Sequence, residues 1–139
     1  MSYSYWGIVG YGVCIDDITK YIDNEKVNLK VRELSPNETF EEDVFEDDTF
    51  CGCPYNNFAE FLSELDDTNV LTWEDGGNSG KCFLMYSPKY PWQMNGNEPQ
   101  SYEEIETRIV NALRKVCKQN ISAQELKAEI NHISDYGCG

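Results

Sequence analysis

Apolar residues recur along this chain in short runs of two different periods, separated by frequent turn signals. Over residues 3–14, aromatic and β-branched side chains are mixed with Gly7, Gly10 and Gly12, which predicts a strand with room for close packing or a bend. Ile15, Ile18 and Ile22 then follow helical spacing, with Asp16 and Asp17 in the first turn, where the helix dipole favours acids. Val27, Leu29 and Val31 alternate with polar residues and predict a short edge strand, ended by Ser35-Pro36-Asn37.

The pattern sharpens further along. Phe58, Phe61, Leu62 and Leu65 lie on one face of a predicted helix over residues 57–65, with Asn57 as its cap. Residues 70–73 and 81–86 are apolar runs on either side of Glu74-Asp75-Gly76-Gly77-Asn78-Ser79-Gly80, the turn chemistry of a β-hairpin. Pro88, Pro91 and Pro99 confine residues 87–100 to a loop, with Tyr90 and Trp92 expected to cover the sheet edge or the rim of the core. Two S-x-x-E capping boxes follow, Ser101 with Glu104 and Ser122 with Glu125. The first precedes the stripe Ile105, Ile109, Leu113, Val116, and the second precedes Leu126, Ile130, Ile133, so the C-terminal part is expected to be helical. The sum is one α+β domain over residues 1–139: a small antiparallel sheet, made of the N-terminal strand and the hairpin near 70–86, covered by three or four helices.

Composition supports folding, because an aromatic fraction of 13% is foreign to disordered chains. No apolar run approaches the roughly 18 residues needed to cross a bilayer, and the first residues lack the basic and apolar regions of a secretory signal. A cytoplasmic protein with free thiols is therefore the expectation for the six cysteines.

Candidate chemistry is sparse. His132, the only histidine, falls in the predicted last helix without a catalytic partner at a recognisable spacing. Cys51-Gly52-Cys53 brings two sulfurs close together, but the second ligand pair of a zinc site is missing. The acidic runs lack the ligand order of a calcium loop, and residues 76–80 resemble a phosphate loop in composition only, without the G-K-[ST] ending. No cofactor and no metal are expected.

Charge is the strongest signal. The chain carries 25 Asp and Glu against 11 Lys and Arg, a net charge of -14, which excludes recruitment to nucleic acid by bulk attraction. The whole excess falls within residues 1–80. Residues 41–48 are acidic at six of eight positions, with Val44 and Phe45 as anchors. Extended, they average about one carboxylate per 4 Å, against one charge per about 3.4 Å along each DNA strand. Glu41, Glu42, Asp43, Glu46, Asp47 and Asp48, joined by Asp66, Asp67, Glu74 and Asp75, are the expected partner-binding residues. Phe40, Phe45, Phe50, Tyr55 and Trp73 are available as apolar anchors.

In these acidic runs, in size and in the lack of a catalytic motif, the sequence resembles the small acidic inhibitors carried by phages and mobile elements, including anti-CRISPR and anti-restriction proteins of the nucleic-acid-mimic type. The resemblance implies a non-catalytic inhibitor that binds a basic nucleic-acid-binding protein, a CRISPR nuclease for example, in the cytoplasm of a bacterial host. An immunity protein that neutralises a basic nuclease toxin rests on the same physics. An enzyme built on Cys51, Cys53 and His132, dependent on zinc or a thiol, is the alternative of another class.

Overall fold

The computed structural model describes residues 5–38, 43–46, 49–50, 55–76 and 80–138. In chain order it runs through β1 (Tyr5–Cys14), α1 (Ile15–Ile18), a 3-10 turn (Thr19–Tyr21), α2 (Asn24–Leu34), β2 (Phe45–Glu46) and β3 (Thr49–Phe50). It continues with α3 (Phe58–Glu64), β4 (Thr72–Gly76), β5 (Lys81–Tyr86), a second 3-10 turn (Pro91–Gln93), α4 (Tyr102–Arg114), α5 (Ala123–Lys127) and β6 (Asn131–Cys138). This is the expected α+β architecture.

Four antiparallel strands form the sheet in the order β4-β5-β1-β6, and β2 and β3 form a separate two-stranded ladder. The N-terminal strand is central. Its second half pairs with β5, placing Val13 opposite Leu84, and its first eight residues pair with β6, placing Gly10 opposite Ile133.

Because side chains alternate along a strand, the register defines two faces. On one, Tyr11, Val13, Leu84 and Tyr86 meet the main core, which takes Val27 and Val31 from α2, Phe58, Phe61 and Leu62 from α3, and Ile109 and Leu113 from α4. Each fully buried Leu or Ile there contributes roughly 1.5–3 kcal/mol. On the other face, Ile8, Phe83, Met85 and Ile133 form a second, smaller buried cluster. The edge strands β4 and β6 also approach one another, although two strands lie between them in the sheet. The sheet is therefore strongly coiled, with its helices on the convex side and the small cluster inside the curl.

Gly10 and Gly12 make this curvature sterically feasible. A Cβ at Gly12 would lie 2.1 Å from the Leu84 carbonyl oxygen and 2.5 Å from Met85 Cα, and one at Gly10 would lie 2.7 Å from the Tyr86 carbonyl oxygen. Only glycine permits that approach of β5 to β1.

Helix starts are where the sequence places them. Asn57 Oδ1 accepts from Glu60 N at 2.9 Å, Ser101 Oγ from Glu104 N at 3.2 Å and Ser122 Oγ from Glu125 N at 3.1 Å.

Three expectations are corrected. Residues 27–31 are not an edge strand but part of α2, which Asp23 caps by accepting from Glu25 N at 3.0 Å. A strand would put Val27, Leu29 and Val31 on one face; the helix instead buries Val27 and Val31, four apart, and leaves Leu29 59% exposed. The last helix stops at Lys127, and the residues expected to extend it form β6, so His132 stands in a strand. Pairing with the open edge of β1 outweighs the weak helical preference of so short a segment. Tyr90 and Trp92 do not cover the sheet edge: both are exposed, and their rings stack on each other at 4.7 Å.

Candidate functional site

The concave side of the sheet carries a groove of about 510 Å³. Its floor is Gly12, Cys14, Phe83 and Ile133, brought together by the pairing of β1 with both neighbours. Asp16 and Asp17, in the only turn of α1, line it together with Glu129, just before β6, and Asp135, within β6. Against these four carboxylates, Lys81 is the one ammonium among the described lining residues.

Glu129 is partly engaged: Lys20 approaches it at 3.5 Å and the Tyr21 hydroxyl donates to it at 3.3 Å. The Glu129 carboxylate raises the Lys20 ammonium above its ordinary range. Glu74 stands opposite Phe83 on the same face, and burial pushes its carboxyl up. Burial also pushes the Cys14 thiol up, and Asp16 and Asp17 add to this, although the backbone of Asp16 and the charge of Lys81 oppose it. The Cys82 thiol is raised as well, by burial and then by Asp75. A thiol held protonated is a weak nucleophile, so the groove is better suited to binding cations than to thiol chemistry.

The ten acids expected from sequence are not gathered on one surface among the described residues. Glu41, Glu42, Asp47 and Asp48 lie outside them. Asp43 and Glu46 come together with Glu25 beside a second recess of about 340 Å³, where Asp43 pairs with Arg32 at 2.9 Å. Asp66 is withdrawn from the surface: it is 8% exposed and accepts from the backbone of Thr68, Val70 and Leu71 at 2.8–3.0 Å and from the Thr68 hydroxyl at 2.7 Å. Asp67 is exposed but bound by Lys115 at 2.7 Å, a cation from the half of the sequence that carries no excess charge. Glu74 and Asp75 are consecutive in β4 and so point to opposite faces.

The apolar anchors are also reassigned. Phe45 is buried, and Phe50, Tyr55 and Trp73 are partly buried and pack against the main core. Phe45 stacks on Phe58 at 4.8 Å, and Phe50 meets Phe61 edge-on at 5.4 Å. Phe40 lies outside the described residues, as do Cys51 and Cys53. Cys14, Cys82 and Cys117 are free thiols. Among the described residues, no group of three or more His, Cys, Asp or Glu side chains is placed to hold a metal ion.

Sequence reasoning missed the groove. Asp16 and Asp17 are legible as helix-dipole acids but not as neighbours of Asp135, because that neighbourhood depends on β6 being a strand. No protein-family model, curated protein or solved structure matches the chain.

Proposed function

We propose that this protein is a non-catalytic inhibitor that binds a basic nucleic-acid-binding protein, a CRISPR nuclease for example, in the cytoplasm of a bacterial host. The observation that carries this reading is the groove lined by Asp16, Asp17, Glu129 and Asp135, in a molecule of net charge -14. A recess lined by carboxylates accommodates a protruding Lys- or Arg-rich segment, the kind of element a nucleic-acid-binding protein uses to hold phosphates. Occupying that segment blocks the nucleic acid. Long-range attraction would make the association fast and sensitive to salt.

The groove shifts the centre of the interaction away from residues 66 and 67, whose carboxylates are committed within the fold. Asp43 and Glu46 contribute to the surrounding field. No helix among the described residues is long and apolar enough to cross a membrane.

Affinity capture from bacterial lysate at low salt, with the wild type beside the Asp16→Asn, Asp17→Asn, Asp135→Asn triple variant, tests this reading. The expected result is a basic nucleic-acid-binding protein retained by the wild type, released by salt and lost from the variant. Equal retention by both proteins, or no basic protein on either, overturns it.

A further inference from the structure

A third recess lies on the convex side, where the first turns of α4 meet β1 and β6. Its volume is about 280 Å³, the size of a side chain rather than of a drug-sized ligand. Tyr11, Tyr86, Tyr102 and His132 line it with aromatic rings, and Val9 and Pro88 complete its mouth. Three of the rings brace one another: Tyr11 and Tyr102 meet at 4.8 Å, Tyr11 and His132 at 5.1 Å, and Tyr102 and His132 at 5.3 Å, all steeply inclined. Val9 and Tyr102 are among the large apolar side chains left exposed.

The chemistry of this recess is not simply apolar. The Tyr11 hydroxyl donates to Glu106 Oε1 at 2.9 Å, so a carboxylate stands behind the ring system. That bond draws electron density toward the phenol ring and strengthens its negative face. Burial and then the Glu106 bond push the Tyr11 phenol above its ordinary value. Among the described residues, no Lys or Arg lines the recess.

We infer that this aromatic recess receives an arginine side chain of the protein partner, its guanidinium lying over the tyrosine rings, in the field of the Glu106 carboxylate that accepts from Tyr11. Arginine fits better than lysine because its flat, weakly hydrated cation stacks on aromatic faces and gives up less hydration on entry. The inference rests on the proposed basic partner for the source of the arginine, but it concerns a different face of the molecule. β6 separates the two sites, with His132 bordering both.

The test uses the full chain and two small probes, N-acetyl-arginine methylamide and its citrulline counterpart, which keeps the shape and lacks the charge. Binding is followed through the ring-proton resonances of Tyr11, Tyr102 and His132. The arginine probe should give saturable shifts at these rings with at least fivefold higher affinity than the citrulline probe. The shifts should disappear in Tyr102→Leu, which keeps an apolar wall without a π face, and persist in the Asp16→Asn, Asp17→Asn, Asp135→Asn variant. Equal binding of citrulline shows an ordinary apolar slot and overturns the inference, as does full binding to Tyr102→Leu. Loss of the shifts in the groove variant would place arginine on the concave side and also overturn it. If the ring shifts behave as expected while lysate capture yields no basic protein, the inhibitor reading falls and the recess stands.

Discussion

Asn28 on α2 and Phe45 in β2 are joined by a reciprocal pair of hydrogen bonds: the Phe45 N–H donates to Asn28 Oδ1 at 2.9 Å, and Asn28 Nδ2 donates to the Phe45 carbonyl at 3.0 Å. The same amide also takes the Val44 N–H at 2.9 Å and donates to the Asn24 carbonyl at 2.9 Å. A buried polar side chain thus fastens the described part of the acidic segment to a helix, while Phe45 fills the core beneath it. Replacing Asn28 by Leu leaves the Val44 and Phe45 amides without a partner. Each unsatisfied buried group costs about 1–3 kcal/mol. Chemical denaturation should show a loss of at least about 2 kcal/mol.

Asp66 gives stability a pH dependence. Burial pushes its carboxyl up, but hydrogen bonds from Leu71, Thr68 and Val70 outweigh this and hold it below the ordinary carboxylate value. A group whose folded pKa is depressed contributes stability above its unfolded pKa, about 3.9 for Asp, and that contribution is lost as pH falls through the folded value. Asp66→Asn should therefore destabilise the protein at pH 7, and the difference between variant and wild type should shrink as pH drops below about 4. Thermal melts of both proteins across that range check the sign.

Two glycines of β1 should respond very differently to alanine. Gly12→Ala drives a Cβ into the backbone of β5, and overpacking against backbone that cannot yield costs about 3 kcal/mol or more. At Gly7 a Cβ meets nothing within 4 Å among the described residues, so Gly7→Ala should change stability by no more than about 0.5 kcal/mol. Denaturation midpoints of the two variants check this difference.

The helical core and the aromatic loop separate in the same manner. Leu113 is fully buried, and Leu113→Ala should cost about 2–5 kcal/mol. Trp92 is 79% exposed, and Trp92→Ala should leave the unfolding free energy within about 0.5 kcal/mol of wild type.

Much of this molecule is legible residue by residue. Asn57, Ser101 and Ser122 announce their helices because a cap is a local interaction, written in two positions three apart. The hairpin of β4 and β5 is equally local. α2 was also within reach: Asp23 as a cap, with Val27 and Val31 four apart, outweighs the alternation that Leu29 suggests. β6 was not, because the isoleucine spacing around His132 suits a helix, and only the open edge of β1 makes it a strand. The site follows the same division. The charge excess is plain from composition, but the neighbourhood of Asp16 with Asp135 depends on a long-range pairing, and the burial of Asp66 depends on a turn that brings three backbone N–H groups round one carboxylate. Acidic residues look alike in sequence, whether they meet solvent, a lysine or their own main chain.

The pairing of β1 with β6 joins positions more than a hundred residues apart. At 5–20 residues per second, the ribosome needs roughly 6–27 s between making one strand and making the other. Throughout that interval the nascent sheet has an open border on β1, beside glycines that give it little intrinsic stiffness. Such a border is a template for unwanted association, so newly made chains should depend on a holding chaperone until synthesis reaches the closing strand.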